Sequence, residues 1–130
     1  MFQAIIYESI EIIEGFVTFG FDVHAKDWQL QSIISSMLAT LTVHLHLPAC
    51  TSLKEKRGRL KPLIARLHRE FNVSVAEMER QDMWQEAVIV CAMVGNGRGH
   101  LESALQSVAK WIEGNWTDGD VIEQRIEVVI

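Results

Sequence analysis

The strongest constraint on the fold of this chain is a change of hydrophobic period at Pro48. Before it, the stretch LATLTVHLHL (38–47) alternates apolar and polar residues, the pattern of a strand with one buried face. After it, apolar residues recur at helical spacing, at Leu53, Leu60, Leu63, Ile64, Leu67 and Phe71. Ser52, with Glu55 three residues later, has the spacing of a capping box. The sequence therefore predicts a strand followed closely by a helix.

Two features of this helix depart from the simple pattern. Pro62 removes the hydrogen bond to Gly58, so we expect a kink or a loosened first turn within a single helix. Lys56 and Arg57 stand where the apolar stripe would otherwise continue, which predicts a first turn at the edge of the core.

Three further strands and one further helix follow. The stretches NVSVAEMER (72–80) and WQEAVIVCAMVG (84–95) predict a hairpin of two strands around the polar turn RQDMW. GNGRG (95–99) predicts a tight turn into a second helix capped near Asn96. The apolar stripe of that helix is Leu101, Leu105, Val108 and Ile112. VIEQRIEVVI (121–130) predicts a last strand with Ile122, Ile126, Val128 and Ile130 facing inward.

The resulting order, β-α-β-β-α-β, favours an α+β fold of the ferredoxin-like kind. In that arrangement a four-stranded antiparallel sheet carries both helices on one face and leaves the other face open. The 130 residues are enough for one such domain. We assign the domain to residues 37–130 and treat residues 1–36 as an N-terminal extension.

Composition narrows the class of protein. There is no run of 18 apolar residues, so a membrane-spanning helix is not expected. The first 25 residues contain no Lys or Arg, so the basic start of a signal peptide is missing. Cys50 and Cys91 then read as reduced thiols, and we expect a cytoplasmic protein.

The charge is unevenly distributed. The chain has a formal net charge of −5, yet seven of its twelve Lys and Arg residues lie between Ser52 and Glu70. These seven form a candidate phosphate- or RNA-binding face: Lys54, Lys56, Arg57, Arg59, Lys61, Arg66 and Arg69. The alternative is a solvated helix face whose long side chains cover apolar surface. Since the segment lacks aromatic residues apart from Phe71, backbone contacts are favoured over base recognition.

A second candidate surface lies on the polar side of the first and last strands. His44 and His46 share one strand face, and a third ligand such as Glu123, Glu127 or His24 would complete a metal site. The alternative is an ordinary polar face without metal. A third interpretation is a partner-binding face made of His44, His46, Glu123 and Arg125.

No pattern in the sequence points to catalysis. GNGRG, with Arg98, could bind an anion at a helix N-terminus, but it lacks the spacing of a dinucleotide fingerprint and the lysine of a P-loop. No nucleophile and base form a recognisable pair. We therefore expect a protein that is not an enzyme, with no cofactor, no resident metal and no small-molecule substrate.

The stretches SLKEKR (52–57), FNVSVAE (71–77) and QDMWQ (81–85) carry a resemblance to a known family. With them, residues 37–130 resemble the YlxP-like family of small bacterial proteins, also called domain of unknown function 503. The resemblance implies a ferredoxin-like fold. Because genes of this family commonly lie near those for translation initiation and ribosome maturation, it also implies a role around the ribosome.

Two parts of the chain depart from the family pattern. Residues 1–36 have no counterpart, so they are either an accessory element or the result of a start assigned too far upstream. The glycine-rich GNGRG replaces a more polar turn. Two functions remain open: a binding module for RNA or the ribosome, and a structural or regulatory homodimer assembled through its sheet.

Overall fold

The six predicted elements occur in the predicted order. A computed structural model describes residues 36–129. The strands are β1 (Met37–His46), β2 (Ser74–Glu79), β3 (Glu86–Gly95) and β4 (Asp120–Val128). The helices are α1 (Leu53–Glu70) and α2 (Arg98–Asn115). The expectations about residues 1–36 lie outside the described residues, apart from Ser36.

The strands form one antiparallel sheet in the order β2-β3-β1-β4. Alternate residues of β1 are fully buried against the helices, at Ala39, Leu41, Val43 and Leu45. The helices contribute the buried stripes expected of them: Leu60, Leu63 and Leu67 from α1 and Leu101, Leu105, Val108 and Ile112 from α2. The ferredoxin-like α+β fold is therefore confirmed, with one core between the helices and one sheet face.

The start of α1 is fixed by side chains, as the sequence predicts. The Glu55 backbone N–H donates to Ser52 Oγ over 3.0 Å. In return, the Glu55 carboxylate accepts from the backbone N–H and the hydroxyl of Thr51, at 2.9 and 3.0 Å, instead of from Ser52. The Thr51 backbone bond is the main reason why the pKa of Glu55 is lowered. The helix then continues through Pro62 without a break.

α2 begins without such a side-chain cap. Its N-cap residue is Gly97, next to the Asn96 that the sequence pointed to, and no side chain caps it. Within the described residues, neither helix is long and apolar enough to cross a membrane.

β4 contains a bulge that the sequence does not reveal. His44 of β1 pairs with Glu123, but the next residue, Leu45, pairs with Val121. Ile122 is thus the extra residue and is 51% exposed, so the prediction that it faces the core is wrong. On the two sides of the bulge, Val121 and Gln124 occupy the helix-facing positions.

β2, the strand at the other edge, has a similar irregularity. Its register against β3 shifts between Glu77 and Glu79, and Met78 is 57% exposed there. Both edge strands are therefore locally distorted.

Leu63 provides a test of how α1 is attached. Its side chain is only 5% exposed in the core cluster. Leu63→Ala should lower the free energy of unfolding by about 2–5 kcal/mol, because the cavity adds to the lost burial. Denaturant titration of this variant and of Lys61→Ala, an exposed site two residues earlier, measures the difference. Equal losses at both sites would contradict the packing of α1.

Candidate functional site

The seven cations of α1 lie in three different environments. Lys56 is buried, Arg59 and Arg66 are partly buried, and the other four are exposed. The helix stripe determines this division, because position 56 lies on the same side as the buried positions 60, 63 and 67. The predicted basic face is therefore smaller than the number of cations suggests.

Lys56 is an interior residue, only 1% exposed. Its ammonium lies 2.7 Å from Glu77 Oε1 and donates to the carbonyl oxygens of Arg80, at 2.7 Å, and Met83, at 2.8 Å. An ammonium has three N–H donors, and three protein oxygens surround this one. The expectation that Lys56 binds phosphate is corrected by this arrangement, since the group is inaccessible and already neutralised.

The Lys56 ammonium shapes the β2–β3 hairpin. Arg80 has a left-handed backbone (φ 58°), unusual for a residue with a side chain. Its carbonyl accepts both from Lys56 and from the Met83 N–H. The turn that follows exposes Met83 and Trp84. The buried Lys56 ammonium thus joins the three stretches that carry the family resemblance. Lys56 lies in SLKEKR, Glu77 in FNVSVAE and Met83 in QDMWQ.

Arg59 connects α1 to the segment between α2 and β4. Its Nε lies 2.6 Å from Asp118 Oδ2, and its Nη1 donates to the Pro48 carbonyl over 3.0 Å. The hydrogen bond with Asp118 is the main reason why the pKa of Arg59 is raised. Most of its donors are therefore used within the fold.

Arg66 is held against α2. Its Nη2 donates to Asn115 Oδ1 over 3.0 Å, and its guanidinium carbon lies 4.8 Å from the centre of the Trp111 ring. Trp111 is itself packed edge-to-face with Phe71 at 5.9 Å. The cation–π contact and the hydrogen bond to Asn115 thereby fix the orientation of the guanidinium plane without the help of a ligand.

The remaining cations form an exposed set on α1, here called the outward row: Lys54, Arg57, Lys61 and Arg69. Their positions fall on the side of the helix away from its buried stripe. Within residues 36–129, no ion pair involves any of the four. Among the described residues, the outward row therefore presents four positive charges without an ion-pair partner.

The predicted partner face is assembled on the open side of the sheet. His44 lies opposite Glu123 and Thr42 opposite Arg125, so the three candidates other than His46 surround one shallow concavity of about 150 Å³. His46 lies beyond it, 3.6 Å from Asp120. In the described part of the chain, no three His, Cys, Asp or Glu side chains are arranged to hold a metal ion.

The two arginines that line this concavity are paired with carboxylates beside it. Arg80 Nη1 lies 2.6 Å from Glu86 Oε2. Arg125 Nε lies 2.9 Å from Glu127 Oε1. His44 Nε2 is 3.5 Å from the same Glu86 but forms no hydrogen bond. The concavity therefore mixes charges of both signs.

The described cysteines are unsuited to nucleophilic chemistry. Both are free and buried. Burial raises the pKa of the Cys91 thiol to about 12, so it is protonated at neutral pH. The cation of the glycine-rich turn is also engaged, because Arg98 Nε lies 3.1 Å from Glu102 Oε1, one helical turn later.

Comparison with known proteins gives a consistent result. The family model described as "Protein of unknown function (DUF503)" matches residues 38–126, which include nearly the whole sheet and both helices. The chain belongs to this family. It is also 42% identical over 62 residues to the protein "Uncharacterized protein YlxP" of Bacillus subtilis (strain 168), covering 48% of this chain and 67% of that protein. The resemblance to the YlxP-like family is thereby confirmed.

The sequence contained a signal for the buried lysine that its interpretation missed. Lys56 lies in the apolar stripe, and Glu77 follows Val75 at strand spacing, on the helix-facing side of β2. Two opposite charges at buried positions of neighbouring elements indicate a pair. The partners of Arg59 and Arg66 carry no comparable signal, because they depend on how the loop after α2 folds back.

Lys56→Met should destabilise the fold by about 3–5 kcal/mol, since it leaves the Glu77 carboxylate without its partner. Lys56→Met combined with Glu77→Leu should recover part of that loss, because the uncompensated charge is gone. Denaturant titration of the parent, the two single variants and the double variant measures the coupling. Additive losses would show that the 2.7 Å contact contributes nothing specific.

Proposed function

We propose that this protein is a non-enzymatic cytoplasmic module that binds the sugar–phosphate backbone of RNA, at or near the ribosome, through the outward row. One observation carries the proposal: four exposed cations share one side of α1 and have no ion-pair partner within residues 36–129. Such charges bind phosphates by releasing condensed counterions.

The length of the row suits a polyanion. Lys54 and Arg69 are 15 positions apart, which at the rise of an α-helix places them about 22 Å apart along the axis. That span supports contacts with several successive phosphates and exceeds what a single small anion needs. Because the protein as a whole is acidic, the attraction is confined to this surface.

The helix that carries the row is also held firmly in place. Lys56 holds α1 to the β2–β3 hairpin, Arg59 holds it to the loop after α2, and Arg66 holds it to α2. The three inner cations therefore fix the helix from which the outer four project. Rigid placement lowers the entropy lost when a backbone is bound.

Three substitutions in the row test the proposal against a control of equal charge. Lys54→Gln, Arg57→Gln and Lys61→Gln together should weaken binding of a single-stranded RNA oligonucleotide and reduce the logarithmic salt slope by about 2, at about 0.7 per cation. Thermal stability should change little, because exposed substitutions usually alter it by about 0.5 kcal/mol or less each. Arg59 is left in place because it holds the fold together.

The control replaces the exposed cations Arg98, Lys110 and Arg125 by Gln. Net charge changes by the same amount, but no residue of α1 is touched. Fluorescence anisotropy at several salt concentrations measures both variants. If the two lose affinity equally, net charge explains the binding and the outward row has no special role.

Self-association through the sheet is the second candidate function. On the open face, Leu38 lies opposite Val94, which is 70% exposed. This apolar pair is the surface against which a second copy would pack. The bulges in β2 and β4 disfavour pairing along the edges, so we expect face-to-face contact.

Light scattering at high protein concentration tests this second candidate. The parent should show a dimer mass, and Val94→Lys should show a monomer mass, because a charge replaces the apolar contact. A monomer mass for the parent would exclude assembly through the sheet.

A further inference from the structure

A groove of about 330 Å³ runs between α1 and the segment that joins α2 to β4. The helix side of its lining includes Gly58, Pro62 and Arg66, and the other side includes Asn115, Trp116 and Thr117. Its size lies at the lower end of the range of small-molecule pockets. None of the four residues of the outward row lines this groove.

The first unexplained group in the groove is the indole of Trp116. The residue is only 8% exposed, and its Nε1 has no hydrogen-bond partner within the described residues. Buried indole N–H groups usually donate to an acceptor. That nitrogen is itself enclosed, so the indole ring, and not its donor, forms the groove wall.

The second group is Arg66, which the fold orients without exhausting it. Trp111 and Asn115 fix the guanidinium plane, and only one hydrogen bond is formed, from Nη2. Its remaining N–H groups have no partner among residues 36–129. An oriented guanidinium with free donors is suited to a phosphate oxygen.

The third group is the carbonyl of Gly58. In a regular helix it would accept from the N–H of residue 62, but proline has none. Gly58 is exposed and lines the same groove as Pro62. Pro62 therefore leaves an acceptor on the same wall as the Arg66 guanidinium, facing the wall that contains Trp116.

Arg59 and Asp118 also line the groove, but they neutralise each other at 2.6 Å. Arg66 is then the uncompensated charge, so the groove has a local excess of one positive charge. The wall containing Asp118 is closely packed, since a side chain at the neighbouring Gly119 would overlap the His46 carbonyl.

We propose that the groove binds one ribose–phosphate unit of an RNA chain. The phosphate accepts from Arg66 and lies against the Trp116 indole, and the 2′-hydroxyl donates to the Gly58 carbonyl. This inference rests on the proposed function, and it adds a basis for selecting RNA over DNA, since only RNA carries the 2′-hydroxyl. The outward row supplies affinity for any backbone, and the groove supplies the distinction.

The groove can be tested with a mononucleotide, separately from the outward row. The probes are uridine 3′-monophosphate and its 2′-deoxy counterpart, titrated at low salt into the full-length, ¹⁵N-labelled protein. Four tryptophans give four indole signals, and Trp116→Phe identifies that of Trp116. We expect the ribonucleotide to shift this signal and to bind about three to ten times more tightly than the deoxynucleotide, as one hydrogen bond predicts.

Pro62→Ala provides the decisive variant, because it should not unfold the protein. Alanine restores the N–H that bonds the Gly58 carbonyl, so the melting temperature should rise while the preference for the ribonucleotide disappears. Arg66→Gln should weaken both nucleotides, and Lys54→Gln, in the outward row, should affect neither. Circular dichroism confirms that each variant is folded.

The outcomes separate the two proposals. If neither nucleotide shifts the Trp116 signal, or both shift it with equal affinity, the groove proposal is overturned, whatever the RNA oligonucleotide does. If Pro62→Ala keeps the preference, the Gly58 carbonyl has no role and the proposed selection of RNA is wrong. If the groove responds as expected but the triple variant of the row binds RNA as well as its control, the row proposal fails and the groove proposal stands.

Discussion

One buried ammonium holds the first long helix to one edge of the sheet. Lys56 joins α1 to a β2 carboxylate and to two carbonyls of the β2–β3 turn. β2 is an edge strand that pairs only with β3, so it lacks a second neighbour to hold it. A buried ion pair is stable only when hydrogen bonds satisfy its remaining groups. The left-handed Arg80 directs its carbonyl to meet that requirement.

The cations of α1 show how one residue type can serve separate purposes on one helix. Their position around the helix decides whether they are enclosed, clamped or solvated. The enclosed and clamped residues stabilise packing, and the solvated ones remain available to a partner. A count of charges along the sequence would treat all seven alike, whereas the direction of each side chain separates them.

Sequence periodicity was sufficient to predict the fold because its signals are local. The alternation of β1, the stripes of α1 and α2 and the Ser52 cap each lie within one element, and the structure contains all of them. Periodicity failed where a position depends on a neighbouring strand. The register shift at Ile122 is set by the pairing of β4 with β1, so strict alternation placed that residue on the wrong face.

The candidate site was predictable only in part, for the same reason. A count of residues shows that α1 concentrates positive charge. The spacing of the apolar residues shows that Lys56 lies in their stripe. Which arginines are engaged does not follow, because Asp118, Asn115 and Trp111 approach α1 from a segment about fifty residues away. The groove depends on that same approach, and its lining residues have no common motif in the sequence.

The distorted edge strands have a consequence for how this protein behaves when crowded. A flat edge offers a template on which further strands can add, and repeated addition extends a sheet into a fibril. Here the extra residue at Ile122 interrupts the template on one side, and the shift near Met78 interrupts it on the other. At both edges of the described sheet the backbone itself therefore opposes cross-β growth, in addition to any effect of the surface charge.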